Sequence, residues 1–306
     1  MTSSDFQALD LAELFHVLVD PDHLDGLIRL AAAEDLGERG DITTRSMVDP
    51  LETVSAEIVT RHAGVLSGSP VLDVILRQLA PELSWWWAID DGAAIVPGDV
   101  VCRISGPLAR LLPVERILLN MLGRLSGVAT TTSLYVSEVE GTGVSICDTR
   151  KTTPGFRSLE KYAVRCGGGT MHRRGLHDAI LVKDNHVGSL SATEFAQLLL
   201  RRLPDARTDA RPDFVQIEVD DLEQLKEVLS ISPGLVDIIL LDNMTPETMM
   251  KAVVLRDALA PEVRLEASGG ITLDTVRSVA QSGIDRISVG ALTHSSVQLD
   301  FGLDLK

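Results

Sequence analysis

Apolar and polar positions follow different rhythms in the two halves of this chain. From about residue 6 to 36 apolar residues recur at helical spacing, with Leu24, Leu27, Ile28, Ala31 and Ala32 on one face. The polar, turn-rich link EDLGERGDITT follows. Strand-like runs at 54–60, 85–89 and 100–104 come next, broken by Gly64, Gly68, Gly92, Gly98 and Gly106, and the pattern predicts a helix at 70–79. Pro113, where a first helical turn tolerates proline, opens PVERILLNMLGRLSGVATTTSLYVSEV, a long helical pattern that bridges into the second half.

From Val144 the rhythm becomes strand, loop, helix, repeated. Strands are expected at 144–147, 179–182, 214–219, 236–241, 264–267 and 286–289, with helices near 158–164, 192–202, 222–229, 246–258 and 273–281. The polar stretch RRLPDARTDARP at 201–212 reads as a solvated loop. Such alternation implies a parallel sheet covered by helices, either an α/β barrel or a doubly wound sheet. Chemically capable residues stand just after successive strands: Asp148 and Arg150, Lys183 and Asp184, Glu218, Asp242, Ser268 and Gly290. A barrel gathers such residues at one rim, whereas an open sheet spreads them along an edge, so the barrel is favoured.

Of 306 residues, 45% are hydrophobic and 24% charged, enough for a substantial core. The formal charge of −16 argues against general nucleic-acid binding, which needs an extended basic face. No apolar run approaches the roughly 18 residues of a membrane span, and no basic-headed apolar leader opens the sequence. Cys102, Cys147 and Cys166 lack C-x-x-C spacing and suit reduced thiols, so a cytoplasmic protein is expected. Against this acidic background one stretch, DTRKTTPGFRSLEKYAVRCGGGTMHRRGLHDAILVKDNH at 148–186, carries Arg150, Lys151, Arg157, Lys161, Arg165, Arg173, Arg174 and Lys183 around Gly167-Gly168-Gly169. Only Glu160, Asp178 and Asp184 oppose them after the opening aspartate. Such a gathering points to a small, highly charged anion. At physiological salt the Debye length is about 8 Å, so distant carboxylates are screened and nearby cations govern the pocket.

Arg150 and Arg173 suit planar carboxylates, because a guanidinium donates two parallel hydrogen bonds. Lys151 and Lys183 offer compact charges for phosphate oxygens or a second carboxylate. Singly, each could be an ordinary exposed cation; their placement beside glycines that permit close backbone approach favours a site. His172 could bond a substrate carboxylate, transfer a proton or satisfy a backbone carbonyl, and His186 is read as a supporting residue. With His177 they form no zinc motif. Glu218 and Asp242 end different strands and could share sugar hydroxyls or a hydrated Mg²⁺, or simply cap the helices that follow. Ser268-Gly269-Gly270 and Val289-Gly290-Ala291 place glycine turns at helix starts after the last strands, where barrel phosphate sites sit. No GxxxxGK(S/T) loop or convincing GxGxxG is present. The triple tryptophan Trp85–Trp87 reads as packing in the first half rather than a nucleic-acid platform.

Together, EDLGERGDITT, GVLSG, ERILLNMLGRLSGVAT, DTRKTTPG, EKYAVRCGGG, HRRGL, LVKDNH, IEVD, LLDN, ASGGI and SVGALTHS resemble the quinolinate phosphoribosyltransferase family over almost the full chain. DTRKTTPG is moderately specific alone and strongly so with EKYAVRCGGG and KDNH. The resemblance implies an N-terminal α+β sandwich domain (1–115, with part of the bridging helix), an incomplete α/β barrel of about seven strands (116–290) and a C-terminal segment (291–306). Periodicity locates six of those strands. The implied activity is phosphoribosyl transfer from 5-phosphoribosyl-1-diphosphate to the nitrogen of quinolinate, with decarboxylation. Its products are nicotinate mononucleotide, diphosphate and carbon dioxide, it requires Mg²⁺, and it is a step toward NAD. On this resemblance Arg150, His172, Arg173 and Lys183 cradle quinolinate, while Thr149, Lys151, Glu218 and Asp242 contact phosphoribosyl diphosphate or the metal. Arg150, Lys151, Lys183, Glu218 and Asp242 form the catalytic set. Ser268, Gly269, Gly270 and Gly290, with Val289 and Ala291 beside it, match phosphate turns. Arg116 matches an arginine inserted from the adjoining subunit, which implies a homodimer or larger. Met171 departs from the asparagine usual before the His-Arg pair. Two other possibilities stay open: a related type II phosphoribosyltransferase acting on nicotinate or another pyridine-like base, and a non-catalytic anion-binding barrel.

Overall fold

The computed structural model describes residues 3–306, with side chains from Phe6 onward. The chain opens with helices α1 (Ser3–Ala8), α2 (Leu11–Leu18), α3 (Pro21–Leu36) and α4 (Ile42–Met47). Next come β1 (Thr53–Thr60), β2 (Gly64–Val65), α5 (Ser69–Leu79), β3 (Ser84–Trp87), β4 (Ala94–Ile95), β5 (Val100–Pro107) and the long α6 (Leu108–Glu138). The second half runs β6 (Ser145–Cys147), α7 (Arg157–Cys166), β7 (Ile180–Val182), α8 (Asp184–Val187), α9 (Ala192–Ala210), β8 (Val215–Val219) and α10 (Leu222–Ile231). It closes with β9 (Ile238–Asp242), α11 (Pro246–Leu259), β10 (Arg264–Ser268), α12 (Leu273–Ala280), β11 (Arg286–Ser288), α13 (Ala291–His294) and β12 (Phe301–Leu305). Among the described residues no helix is long and apolar enough to cross a membrane.

Two compact units result, each assembled from separated stretches of chain. One comprises Leu9–Ser133, Thr152–Gly168 and Leu292–Lys306; the other joins α1 with Leu134–Lys151 and Gly169–Ala291. In the first, an antiparallel sheet has the order β12-β1-β5-β3, so the C-terminal stretch supplies an edge strand. Alternation sorts the faces. Ala56 and Ile58 on β1 lie opposite Ile104 and Cys102 on β5, all buried. The outward row carries Glu57, held by Arg103 at 3.0 Å and Lys306 at 2.9 Å. The tryptophan triplet divides by the same rule: Trp85 and Trp87 donate their indole N–H groups to Asp73 on α5 at 2.6 and 2.9 Å, while Trp86 turns the other way under Arg103.

Caps refine the N-terminal expectation. Asp10 and Asp20 accept backbone N–H groups at helix starts, so the region at 6–36 is three helices. Within the expected link, Asp41 caps the additional helix α4. Helix α6 starts at Leu108, ahead of Pro113, which therefore lies inside the helix rather than opening it. Gly123 and Gly127 make room on α6 for the C-terminal strap. A Cβ at Gly127 would meet the Val297 carbonyl at 2.2 Å, and one at Gly123 would meet that of Leu299 at 2.6 Å.

The second unit is a parallel sheet in the order β6-β11-β10-β9-β8-β7. Pairing of its first strand with its last, with β6 and β7 at the two edges, is the order of a barrel opened at one seam. Thr170 forms an isolated parallel bridge to Cys147 on the far side of β6. The sheet itself has six strands among the described residues, one fewer than the resemblance implies, and this bridge stands where a seventh would pair. At the N-terminal face, Asp237 accepts the Val215 N–H at 2.6 Å and the Arg207 guanidinium at 2.5 Å. Asp285 repeats the device with Leu265 and Arg256, both at 2.7 Å. Arg207 sits in the stretch expected as a solvated loop. That stretch is instead the end of α9, continuing to Ala210 and tied down through Arg207 to Leu235 and Asp237.

Replacing Gly127 with alanine should lower unfolding free energy by about 3 kcal/mol, because a backbone carbonyl cannot move aside cheaply. Gly26→Ala, inside α3 with nothing within 4 Å of the new methyl, should be neutral or stabilising by about 0.5–1 kcal/mol. Urea unfolding of both variants measures the contrast.

Candidate active site

The period of two along each barrel strand decides which side chains share a face. Gln216 and Glu218 alternate with Val215, Ile217 and Val219 on β8, and Glu266 and Ser268 alternate with Leu265 and Ala267 on β10. Register places Asp242 beside Ser268 and Glu266 beside Arg286. Polar rows therefore climb one face of the sheet and end at the C-terminal rim, where barrel chemistry is done.

Arg150 and Arg173 meet at that rim. Arg173 is buried, and burial together with the Arg150 charge pushes its pKa below the ordinary guanidinium value. Among the described residues neither guanidinium makes an ion pair with a carboxylate. Arg173 reaches only the Ala179 carbonyl, at 3.4 Å, and the Nε of Arg150 is buried without a hydrogen-bond partner. Backbone contacts hold the pair in place. The His172 N–H donates to Asp148 Oδ1 at 2.8 Å, and the Arg173 N–H donates to His172 Nδ1 at 2.7 Å. The other ring nitrogen, Nε2, lies 3.4 Å from Glu266, so both nitrogens of His172 face protein groups.

Lys183 follows β7 and forms a close ion pair with Glu218. Its backbone N–H donates to His186 Nδ1 at 2.9 Å, the supporting role expected of that histidine. Burial raises the Glu218 pKa; Lys183 opposes the shift, and the Asp242 and Asp184 charges reinforce it. No group of three or more His, Cys, Asp or Glu capable of caging a metal occurs among the described residues. Two neighbouring carboxylates nevertheless suit Mg²⁺, which commonly takes one or two protein oxygens and fills its sphere with water and substrate phosphates.

Glycine is required after β10. Gly269 has φ +98° and a Cβ there would lie 2.1 Å from Asn243 Oδ1; Gly270 follows at φ +59°. Asn243, itself at φ +51°, donates its backbone N–H to the Ser268 carbonyl at 2.9 Å and its amide to Asp242 at 2.6 Å. The glycine turn and the Asp242 carboxylate are thus one construction, and sequence inspection missed Asn243 as its link.

Arg150, Lys151, Arg173, Arg174 and Lys183 belong to the barrel unit, whereas Arg157, Lys161 and Arg165 belong to the other. Arg174 is taken by Asp178 and Asp213 and covers the Phe6 ring. Glu160 is buried under Arg124 and Thr153. Two of the three glycines have a local structural reason: a Cβ on Gly167 would strike the Ala129 carbonyl at 2.3 Å, and Gly168 takes φ +83° at the end of α7. Thr149 accepts the Lys151 N–H at 3.0 Å, with the lysine side chain exposed. Val289 is buried with its N–H spent on the Cys147 carbonyl at 2.9 Å, so it cannot donate to a phosphate; Gly290 and Ala291 are half-buried at the rim. Met171 is buried, and its carbonyl accepts from Gln7 at 3.4 Å. Arg116 lies on α6 in the other unit, 62% exposed, with Glu115 at 3.6 Å.

A parallel barrel with unneutralised guanidinium groups, two carboxylates and a glycine turn at one rim defines the class of α/β barrels that handle multiply charged anions. Comparison with known proteins narrows the class to one family. Residues 41–126 match the family model "Quinolinate phosphoribosyl transferase, N-terminal domain" and residues 128–304 the corresponding C-terminal domain. The chain belongs to the quinolinate phosphoribosyl transferase family. It is 41% identical over 281 residues to the nicotinate-nucleotide pyrophosphorylase [carboxylating] of Mycobacterium leprae, covering 91% of this chain and 95% of that one. It is 36% identical to the enzyme of that name from Homo sapiens, covering 91% and 92%. A solved nicotinate-nucleotide pyrophosphorylase from Francisella tularensis superposes with TM-score 0.84 at 33% identity over 94% of this chain and 98% of that one.

The raised pKa of Glu218 carries a stability consequence. A carboxyl whose folded pKa exceeds its unfolded value near 4.5 favours folding while protonated and opposes it once ionised. Glu218→Gln should therefore unfold at a higher temperature than the parent at pH 8, and the gap should close as pH falls to about 4.5. Thermal unfolding across that pH range tests this.

Proposed function

We propose that this chain is a quinolinate phosphoribosyltransferase (carboxylating), moving phosphoribose from 5-phosphoribosyl-1-diphosphate to quinolinate with loss of carbon dioxide. The products are nicotinate mononucleotide and diphosphate, and the step belongs to NAD biosynthesis. Family membership over both domains supports this assignment. The observation that carries the substrate choice is the pair Arg150 and Arg173, two guanidinium groups at one rim that make no ion pair among the described residues. A dicarboxylate neutralises both, whereas nicotinate, with one carboxylate, leaves a charge uncompensated.

In this assignment Arg150 and Arg173 grip the two carboxylates and Lys183 approaches the same acid from β7. Glu218 and Asp242 face the ribose hydroxyls, and Ser268, Gly269, Gly270 and Gly290 face phosphate. Lys151, exposed beside the rim, reaches diphosphate oxygens. Glu218 and Asp242 would hold Mg²⁺, whose charge offsets that of diphosphate. Fixing the ring nitrogen toward the anomeric carbon supplies orientation worth several kcal/mol of barrier. Transfer leaves that nitrogen positive, and the departing carboxylate's electron pair is then drawn toward it. No side chain is asked to act as a nucleophile.

The assembly is a homodimer or larger. The exposed Arg116 guanidinium, held only loosely by Glu115, is available to complete a partner's rim. Three buried, free cysteines suit a reducing cytoplasm.

Purified protein given carboxyl-labelled quinolinate, phosphoribosyl diphosphate and Mg²⁺ should release labelled carbon dioxide. Arg150→Ala should lower kcat/KM for quinolinate by about 100-fold or more, the scale of losing a charged anchor, without lowering the unfolding midpoint. Turnover of nicotinate but not quinolinate would overturn the assignment.

A further inference from the structure

Glu266 has no place in the reaction as described, yet its surroundings tie it to the quinolinate cradle. It is fully buried on β10, two residues before Ser268 and on the same face. A buried carboxylate is costly unless opposite charges or donors face it, and an apolar residue of similar size would fill the space without that cost. Two groups face it. Arg286, its register neighbour on β11, brings Nε within 3.1 Å of Oε2, and His172 brings Nε2 within 3.4 Å of Oε1. Both are ion-pair approaches rather than aligned hydrogen bonds.

The His172 ring is held from three directions. Nδ1 accepts the Arg173 N–H at 2.7 Å, so the neutral ring carries its proton on Nε2, toward Glu266. The Phe214 ring packs edge-on with centroids 5.6 Å apart. The residue's own N–H is fixed by Asp148, two positions before Arg150. Rotating the imidazole would release the Arg173 backbone and with it one of the two guanidinium groups at the rim. On the Nε2 side the ring faces the Glu266 carboxylate.

We infer that Glu266 is a positioning residue for quinolinate, acting through the His172 ring to fix Arg173 while Arg286 holds the carboxylate from below. This rests on the proposed quinolinate reaction for its kinetic consequence and on geometry alone for the orientation of the ring. It makes the effect substrate-selective: the acid should feel a change at 266, and the sugar diphosphate, gripped by other strands, should not.

The test compares the parent with Glu266→Gln, which keeps an acceptor oxygen for the ring, and with Glu266→Leu combined with Arg286→Met, which removes both charges so that no unpaired guanidinium is left to unfold the barrel. In the folded double variant the KM for quinolinate should rise roughly tenfold or more, the equivalent of about 1.4 kcal/mol, with the KM for phosphoribosyl diphosphate within about twofold of the parent. Glu266→Gln should recover most of that loss. Nitrogen-15 resonances of the His172 ring supply a readout independent of turnover. The neutral parent ring should be protonated on Nε2 with Nδ1 accepting, and the double variant should show both tautomers. Equal rises in both KM values, an unchanged quinolinate KM, or an unchanged tautomer in the double variant would each overturn the proposal. If the parent turns over no quinolinate, the functional assignment fails, and the ring resonances still decide whether Glu266 orients His172.

Discussion

Two guanidinium groups held near one another without a carboxylate between them are the constraint around which the barrel rim is arranged. Burial of Arg173 depresses its pKa, and the Arg150 charge adds to the shift while Asp178 opposes it. The backbone holds the pair, through Asp148 and the His172 ring, each spending a hydrogen bond on fixing chain direction rather than on neutralising charge. The free energy invested there is recovered when an anion with two acidic groups arrives, the general logic of a preorganised site.

The barrel's two ends divide the labour. At the N-terminal face Asp237 and Asp285 each satisfy a neighbouring strand's N–H and a helix arginine at once, an arrangement in which every charge is answered. The C-terminal rim inverts this. Arg150 and Arg173 have no ion pair there among the described residues, Glu218 is held where ionisation is disfavoured despite its pairing with Lys183, and Gly269 and Asn243 adopt left-handed backbone conformations. Stability concentrated at one face permits an unfavourable charge arrangement at the other, the usual distribution in α/β barrels. In a family whose substrates bring two carboxylates and a diphosphate, an anion-starved rim on a strongly acidic protein is the expected design. Screening makes the bulk charge irrelevant over the few ångströms that matter.

Much of this was legible in the residues. The alternation of strands and helices after Val144 located six barrel strands, because each is a run of three to five residues flanked by turn formers. Where a seventh would pair there is a single bridge at Thr170, which leaves no period to detect. Val289 illustrates a different limit: a glycine turn near a helix start looks like a phosphate site until the donor is found spent on the Cys147 carbonyl. Motif resemblance supplied the roles, but Gly167 lies in a conspicuous motif for a packing reason that only tertiary contacts reveal. Arg207 shows the converse, since a polar, proline-containing stretch became helix because its arginine found Asp237 across the unit. Glu266 and Asn243 escaped notice because each acts on a neighbouring strand's residue and carries no local signature.

The central claim is that the rim is built for an acid with two carboxylates. Calorimetric titration of the protein with quinolinate and with nicotinate, each at low and high salt, measures it most directly. Quinolinate should bind at least about tenfold more tightly, the value of a second charge-assisted contact, and its advantage should shrink as salt rises. Equal affinities for the two acids at low salt would contradict the account.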